Sequence, residues 1–319
     1  MHIFKVSIFL IISVLVIFFS AVHYKVEIKK AIILDIPKGS NTSFISDNLT
    51  KNKIIHNSAL FKFYARIISS DQKFKAGEYK FESSQSIDSV VTKLVEGDFF
   101  YRKITLLPGS TISNILQLGN SQGLVNDLAN EPETVLNKLG INIQEGIFYP
   151  DTFYYLKGET FSSVLLKSHK KWKKISNQLW IDRKPELPFQ DLNQALTLAS
   201  IIEKEGVEKR KIAGVFVNRL NKNMKLQSDP TVIYALGDNF DGDLTRKNLQ
   251  VDNPYNTYRY RGLPPGPISI VSYDSLEAAL NPFLTDYFYF VSMGNGYHKF
   301  SKTLTEHNEA VLKYQINDR

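Results

Sequence analysis

Residues 31–49 read AIILDIPKGSNTSFISDNL, and this phrase sets the fold class. Its first six residues carry three isoleucines and a leucine, the composition of a strand. Pro37, Gly39 and Ser40 supply turn chemistry, and a helix is expected from Thr42 onward. The same order returns at 104–118, as a strand over 104–107, a turn at Pro108-Gly109-Ser110 and a helix over 111–118. Between them, a strand over 77–81 precedes a helix over 86–94. The letters are only loosely alike, but the order repeats, which predicts small βα modules.

Further along, helices dominate. A basic helix is expected over 161–180, ended by Pro185 and Pro188. Asp191 then stands as an N-cap, with Gln194 at capping-box spacing. Ala195, Leu198, Ala199 and Ile202 carry that helix to Gly206, a stop signal. A second helix places Ile212, Val215, Phe216 and Leu220 on one face. A third is expected to start at Asp229-Pro230, with Asp229 as the cap. A loop over 253–267 follows, then a short helix over 275–280, a strand over 287–291 and a terminal helix capped by Thr305. The fold class is therefore mixed α+β.

With 319 residues there is room for two domains and extras. The net charge of +7 favours polyanions, yet the basic residues are scattered, and the cluster at 167–174 reads as a solvated helix face. No nucleic-acid motif is present. The absence of cysteine excludes disulfides, thiolate metal sites and a thiol nucleophile. From Val6 to Val22 nothing is more polar than serine, which predicts a retained membrane anchor rather than a cleaved signal. Lys25, Lys29 and Lys30 follow this span and only Lys5 precedes it. Counted literally, that charge bias would put the bulk of the chain in the cytoplasm, but long domains translocate largely regardless of charge.

Glu203 is the first candidate for chemistry. Its same-face neighbours Ala199, Ser200 and Val207 are small and mostly apolar, an environment expected to raise the carboxyl pKa toward what a general acid needs. Glu205, two residues on, points to another side and is expected in solvent with Lys204. This helix therefore does not supply the carboxylate pair of ordinary glycosidases. Asp229 reads mainly as a helix cap, and Gln227 and Ser228 beside it have sugar-compatible hydrogen-bonding groups. The stretch Asn253-Pro254-Tyr255-Asn256-Thr257-Tyr258 gathers amides, hydroxyls and aromatic faces, which suits a carbohydrate cleft as well as an ordinary loop. His298 and His307 match no metal spacing and are expected to serve structure. No phosphate loop, dinucleotide fingerprint or nucleophile elbow is present.

Several ordered phrases carry a resemblance. They are Glu145-Gly146-Ile147-Phe148-Tyr149-Pro150-Asp151-Thr152-Phe153, Leu198-Ala199-Ser200-Ile201-Ile202-Glu203-Lys204-Glu205, Val217-Asn218-Arg219-Leu220 and Leu226-Gln227-Ser228-Asp229-Pro230-Thr231-Val232. Pro254-Tyr255-Asn256-Thr257-Tyr258, Gly262-Leu263-Pro264-Pro265-Gly266-Pro267-Ile268, His298, Phe300-Ser301 and Glu306-His307-Asn308 follow in order. Together these resemble the MltG (YceG-like) family of endolytic murein transglycosylases. Ser269-Ile270-Val271-Ser272 and the stretch before Phe300 depart from that pattern. The resemblance implies an anchor over 1–25, a LysM-like βα region over 26–103 that binds glycan or acts as a spacer, and a catalytic domain over 104–319. It implies a single-pass inner-membrane protein with its catalytic part in the periplasm, acting on peptidoglycan glycan strands near peptidoglycan synthases. By the match, Glu203 is the catalytic residue, with Gln227, Asp229, Tyr255, Asn256 and Thr257 positioning substrate and no cofactor or metal. The competing expectation is a membrane-tethered scaffold that binds peptidoglycan without cutting it.

Overall fold

The computed structural model describes residues 2–68 and 74–316. The chain divides into two compact units, residues 1–102 with 154–158, and residues 103–153 with 159–319.

The first unit begins with helix α1 (His2–His23), about 33 Å long at the usual rise per residue. By length and composition it is apolar enough to cross a membrane, and its side chains are largely exposed along residues 6–19. Only its end joins the unit's core, through Phe18 and Val22. Strand β1 (Ile32–Ile36) follows, then α2 (Thr42–Lys51), α3 (Ser58–Ile68), β2 (Gly77–Phe81) and α4 (Ile87–Glu96). β1 pairs antiparallel with β2, Leu34 opposite Tyr79. The chain turns between β1 and α2 at Gly39, whose φ of 82° favours glycine. Asn41 Oδ1 caps α2 by accepting from Phe44 N at 2.8 Å, and Ser86 with Ser89 closes a capping box on α4. Ile45, Leu49, Phe61, Tyr79, Phe81 and Leu94 fill the core between the strand pair and the helices. The order is βααβα, not the plain βα repeat expected. The extra helix α3 is amphipathic, with Phe61, Tyr64 and Ala65 inward. The buried Glu78 carboxylate is held by both Nε and Nη2 of Arg102, at 2.8 and 2.9 Å.

Strand β3 (Arg102–Thr105), helices α5 (Ile112–Gln117) and α6 (Pro132–Lys138), strand β4 (Thr152–Tyr155) and the long helix α7 (Phe161–Ile181) come next. β3 and β4 pair with each other. In the second unit the centre is α8 (Leu192–Glu205), in which every side chain from Ala195 to Ile202 is buried. It packs against α9 (Lys209–Asn221), and α10 (Asp229–Leu236) also touches it. α11 (Tyr273–Leu280) packs on both α8 and α9. Strands β5 (Tyr289–Ser292) and β6 (His298–Ser301) form an antiparallel hairpin, and α12 (Leu304–Val311) runs on into a π-helical turn, Leu312–Ile316.

Asp191 caps α8 as expected, its Oδ1 accepting from Gln194 N at 2.8 Å. Three other end signals differ. Gly206 ends α8 with extended backbone, not left-handed. Its reason is space, since a Cβ there would lie 2.7 Å from His298 Cε1. Ser228, not Asp229, occupies the cap position of α10, and Asp229 is the first helical residue. Thr303, not Thr305, caps α12, accepting from Glu306 N at 3.2 Å.

Candidate active site

The second unit contains a cavity of about 680 Å³, within the usual range for small-ligand sites. The end of α8, the residues before α10, the β5–β6 hairpin and α12 wall it. Glu205 and Gly206 contribute from α8, Gln227 and Asp229 from the α10 entry, Tyr289 and His298 from the hairpin, and His307 from α12.

Glu205 therefore does not face solvent, contrary to expectation. The helix carrying it is buried from Ala195 to Ile202, and at its end Lys204 points out while Glu205 turns into the cavity wall. Glu205 Oε1 accepts a hydrogen bond from the Ser228 hydroxyl. Burial raises its pKa from 4.5 to about 7, and the Asp229 charge adds to the rise. The Ser228 hydrogen bond and the Arg219 charge oppose it. A carboxyl group so placed carries a proton about half the time near neutral pH.

Glu203 has the opposite character. Its Oε2 accepts from Ser272 N at 2.9 Å and from the Ser272 and Ser275 hydroxyls at 2.6 Å each. Its Oε1 faces Lys209 Nζ at 3.1 Å. Burial pushes its pKa up, but the three hydrogen bonds and the lysine more than cancel that, and the net shift is downward. The raised pKa expected at Glu203 is thus not found. The neighbours that decide it come from α11 and α9, not from its own helix face. Glu203 ties α8 to the start of α11 and is not among the residues that line the cavity.

Of the expected substrate-positioning residues, Gln227 and Asp229 line the cavity. Gln227 has a left-handed backbone, φ 53°, uncommon for a residue with a side chain. Asp229 is freed from capping because Ser228 sits at the cap. Its Oδ1 instead accepts from the Tyr258 hydroxyl at 2.5 Å, and burial with that contact pushes the phenol well above its usual range. Tyr255, Asn256 and Thr257 are placed elsewhere. Tyr255 packs on Tyr234 with ring centroids 4.8 Å apart. Asn256 is fully buried and donates its amide to Leu249 O at 3.0 Å and Val251 O at 2.8 Å. Thr257 accepts from Ser228 N at 3.0 Å and pairs with Thr231 Oγ1 at 2.8 Å. Thr257 underlies Ser228 and Gln227, and the side-chain groups of Asn256 and Thr257 are already used.

Tyr258, from the stretch expected to suit a carbohydrate cleft, does line the cavity, whereas sequence reasoning missed Arg219, Tyr289 and the two histidines there. Arg219 is buried, with Nε donating to Phe288 O at 2.6 Å and Nη1 to Leu226 O at 2.8 Å. Its guanidinium lies 5.2 Å from the Tyr289 ring. An arginine on the apolar side of α9 was the available signal. Among the described residues no cluster of three or more His, Asp or Glu side chains has metal-binding geometry.

The end of α8 thus places a buried carboxyl, its pKa pushed up by burial, in a cavity lined also by amide, phenol and imidazole groups. The YceG-like family profile matches residues 34–313, and the chain belongs to that family. It is 36% identical to the endolytic murein transglycosylase of Bacillus subtilis over 312 residues, covering 90% of this chain and 85% of that protein. It is 27% identical to the endolytic murein transglycosylase of Streptococcus pneumoniae over 326 residues, covering 90% of this chain but 59% of that longer protein. A crystal structure of a yceG-like protein from Listeria monocytogenes superposes with a TM-score of 0.50 at 35% identity, covering 89% of this chain and all of the other.

Proposed function

We propose that this protein is an endolytic murein transglycosylase whose acid/base is Glu205. The observation that carries the reading is the Glu205 carboxyl in the wall of the cavity, with a pKa of about 7. Protonated Glu205 donates to the glycosidic oxygen between N-acetylmuramic acid and N-acetylglucosamine as the C1–O bond breaks. The resulting carboxylate takes the proton from the C6 hydroxyl of the same muramic residue, and that oxygen closes on C1. The product end is a 1,6-anhydro sugar, and Glu205 is again protonated. The substrate supplies its own nucleophile, so one carboxyl suffices where a hydrolase uses two. Burial raises the Glu205 pKa and the Ser228 hydrogen bond holds it back, with Asp229 and Arg219 adding smaller opposing pushes, which sets it between the demands of the two steps. Glu203, expected as the acid, is held charged by four donors and serves instead to fix the end of α8.

The apolar α1 is proposed as a retained inner-membrane anchor, with the second unit in the periplasm, where nascent strands and peptidoglycan synthases lie. The βααβ arrangement of the first unit supports reading it as LysM-like, either a glycan-binding region or a spacer.

The test is Glu205→Gln, which keeps shape and removes the titrating proton. Purified glycan strands treated with the wild-type protein should yield anhydro-ended fragments by mass spectrometry, and the variant none. Normal turnover by the variant would overturn the assignment, and reducing ends would indicate hydrolysis instead. Glu203→Gln should retain the reaction.

A further inference from the structure

We propose that His307 is a further substrate-holding residue of the same cavity, hydrogen-bonding the glycan through its Nε2. The proposal rests on reading the cavity as a glycan site.

Helix α12 and the turn after it place Leu304, His307, Asn308, Val311 and Gln315 three or four residues apart, on one helical face. That face lines the cavity. His307 is the member whose geometry is fixed. Its ring stacks on Tyr289 with centroids 5.2 Å apart and planes at 24°, and Tyr289 in turn lies against the Arg219 guanidinium. Yet the imidazole makes no hydrogen bond within the described residues, and its Nδ1 is enclosed without a partner. No group among the described residues claims the ring, so a ligand in the cavity meets it unpaired. With Nδ1 enclosed, Nε2 is the nitrogen that a ligand in the cavity can reach.

Burial and the nearby Arg219 charge both lower the His307 pKa, so the ring is neutral. A neutral imidazole presents one donor and one acceptor. Sugar hydroxyls and acetamido groups offer the matching partners, which is the chemistry expected of a residue that holds an uncharged saccharide.

The test uses the full-length protein carrying Glu205→Gln, so that intact, uncrosslinked glycan strands bind without being cut. Adding His307→Leu, which preserves bulk against Tyr289, should weaken strand binding about fivefold, the loss of one ligand hydrogen bond. His307→Gln, whose amide reaches the position of Nε2, should restore most of it, while His307→Asn, which reaches only Nδ1, should not. Melting temperatures should be alike across the set. Equal binding by the Gln and Asn variants, or full affinity in the Leu variant, overturns the proposal. If the Leu variant fails to fold, the Gln–Asn comparison still decides. Turnover by the Glu205→Gln parent would instead sink the acid/base reading, and the His307 set is then compared by KM on strands, where the same Gln–Asn order is expected.

Discussion

Replacing Ser228 by alanine removes the hydroxyl that donates to Glu205 Oε1. That hydrogen bond favours the carboxylate, so its loss should push the Glu205 pKa further up. A hydrogen bond to a charged acceptor contributes about 1.5–3 kcal/mol, and water admitted from the cavity replaces part of it, which favours the lower end. At about 1.4 kcal/mol per pKa unit, the shift is about one unit. The Glu205 pKa would move from about 7 to about 8. The backbone contacts of Ser228 to Thr257 and Thr231 survive the change, so the shelf beneath it should hold. The assay is the pH dependence of kcat on purified glycan strands, scored by anhydro ends. The alkaline limb, which reports the protonated acid, should move up by about one unit. At pH 8 the protonated fraction should rise from about a tenth to about a half. An alkaline limb that stays in place or moves down would refute Glu205 as the acid.

Glu203→Gln leaves Lys209 without its counter-charge and should lower stability by about 2 kcal/mol, roughly 6 °C in melting temperature. Because the folded pKa of Glu203 lies below 4.5, its contribution is present above that value and lost as pH falls through the folded pKa. The variant's melting curve should accordingly be flatter in acid than the wild type's. Glu145 behaves oppositely. Burial raises its pKa from 4.5 to about 7, although Ile112 N donates to it at 3.0 Å. Its stability contribution is full below 4.5 and declines as pH rises through 7. Glu145→Gln should remove about 2 kcal/mol of that decline, after discounting for partial exposure, in thermal melts from pH 4 to 8. Gly214→Ala would set a Cβ 2.3 Å from Phe283 O and should cost about 2–3 kcal/mol by denaturant unfolding.

Local signals were readable where the chemistry is local. Isoleucine runs and Pro-Gly turns located β1 and its neighbours, and Asp191 located the start of α8. The separation of Glu203 from Glu205 also followed correctly from helix geometry. Which of the two meets the cavity did not, because α8 is buried continuously from Ala195 to Ile202 and offers no long solvent face to use as a reference. The partners that set the two pKa values, Ser272, Ser275 and Lys209 for one and Ser228, Asp229 and Arg219 for the other, arrive from other elements. The 253–258 stretch was legible only in part, since Tyr258 lines the cavity but Asn256 and Thr257 do not. Its amides and hydroxyls suit a sugar equally well, but folding turns Asn256 and Thr257 inward, where backbone groups claim them.

Gln227 brings its own restriction. With φ at 53°, its main chain occupies a basin that β-branched side chains tolerate badly. Valine, isoleucine and threonine are thereby barred at this point whatever their polarity. Glycine would relax the chain but take the amide out of the cavity wall, and asparagine is the natural compromise. The site can thus change its recognition at 227 along only a narrow corridor of residue types, and any broadening of what the cavity accepts must begin at another of its walls.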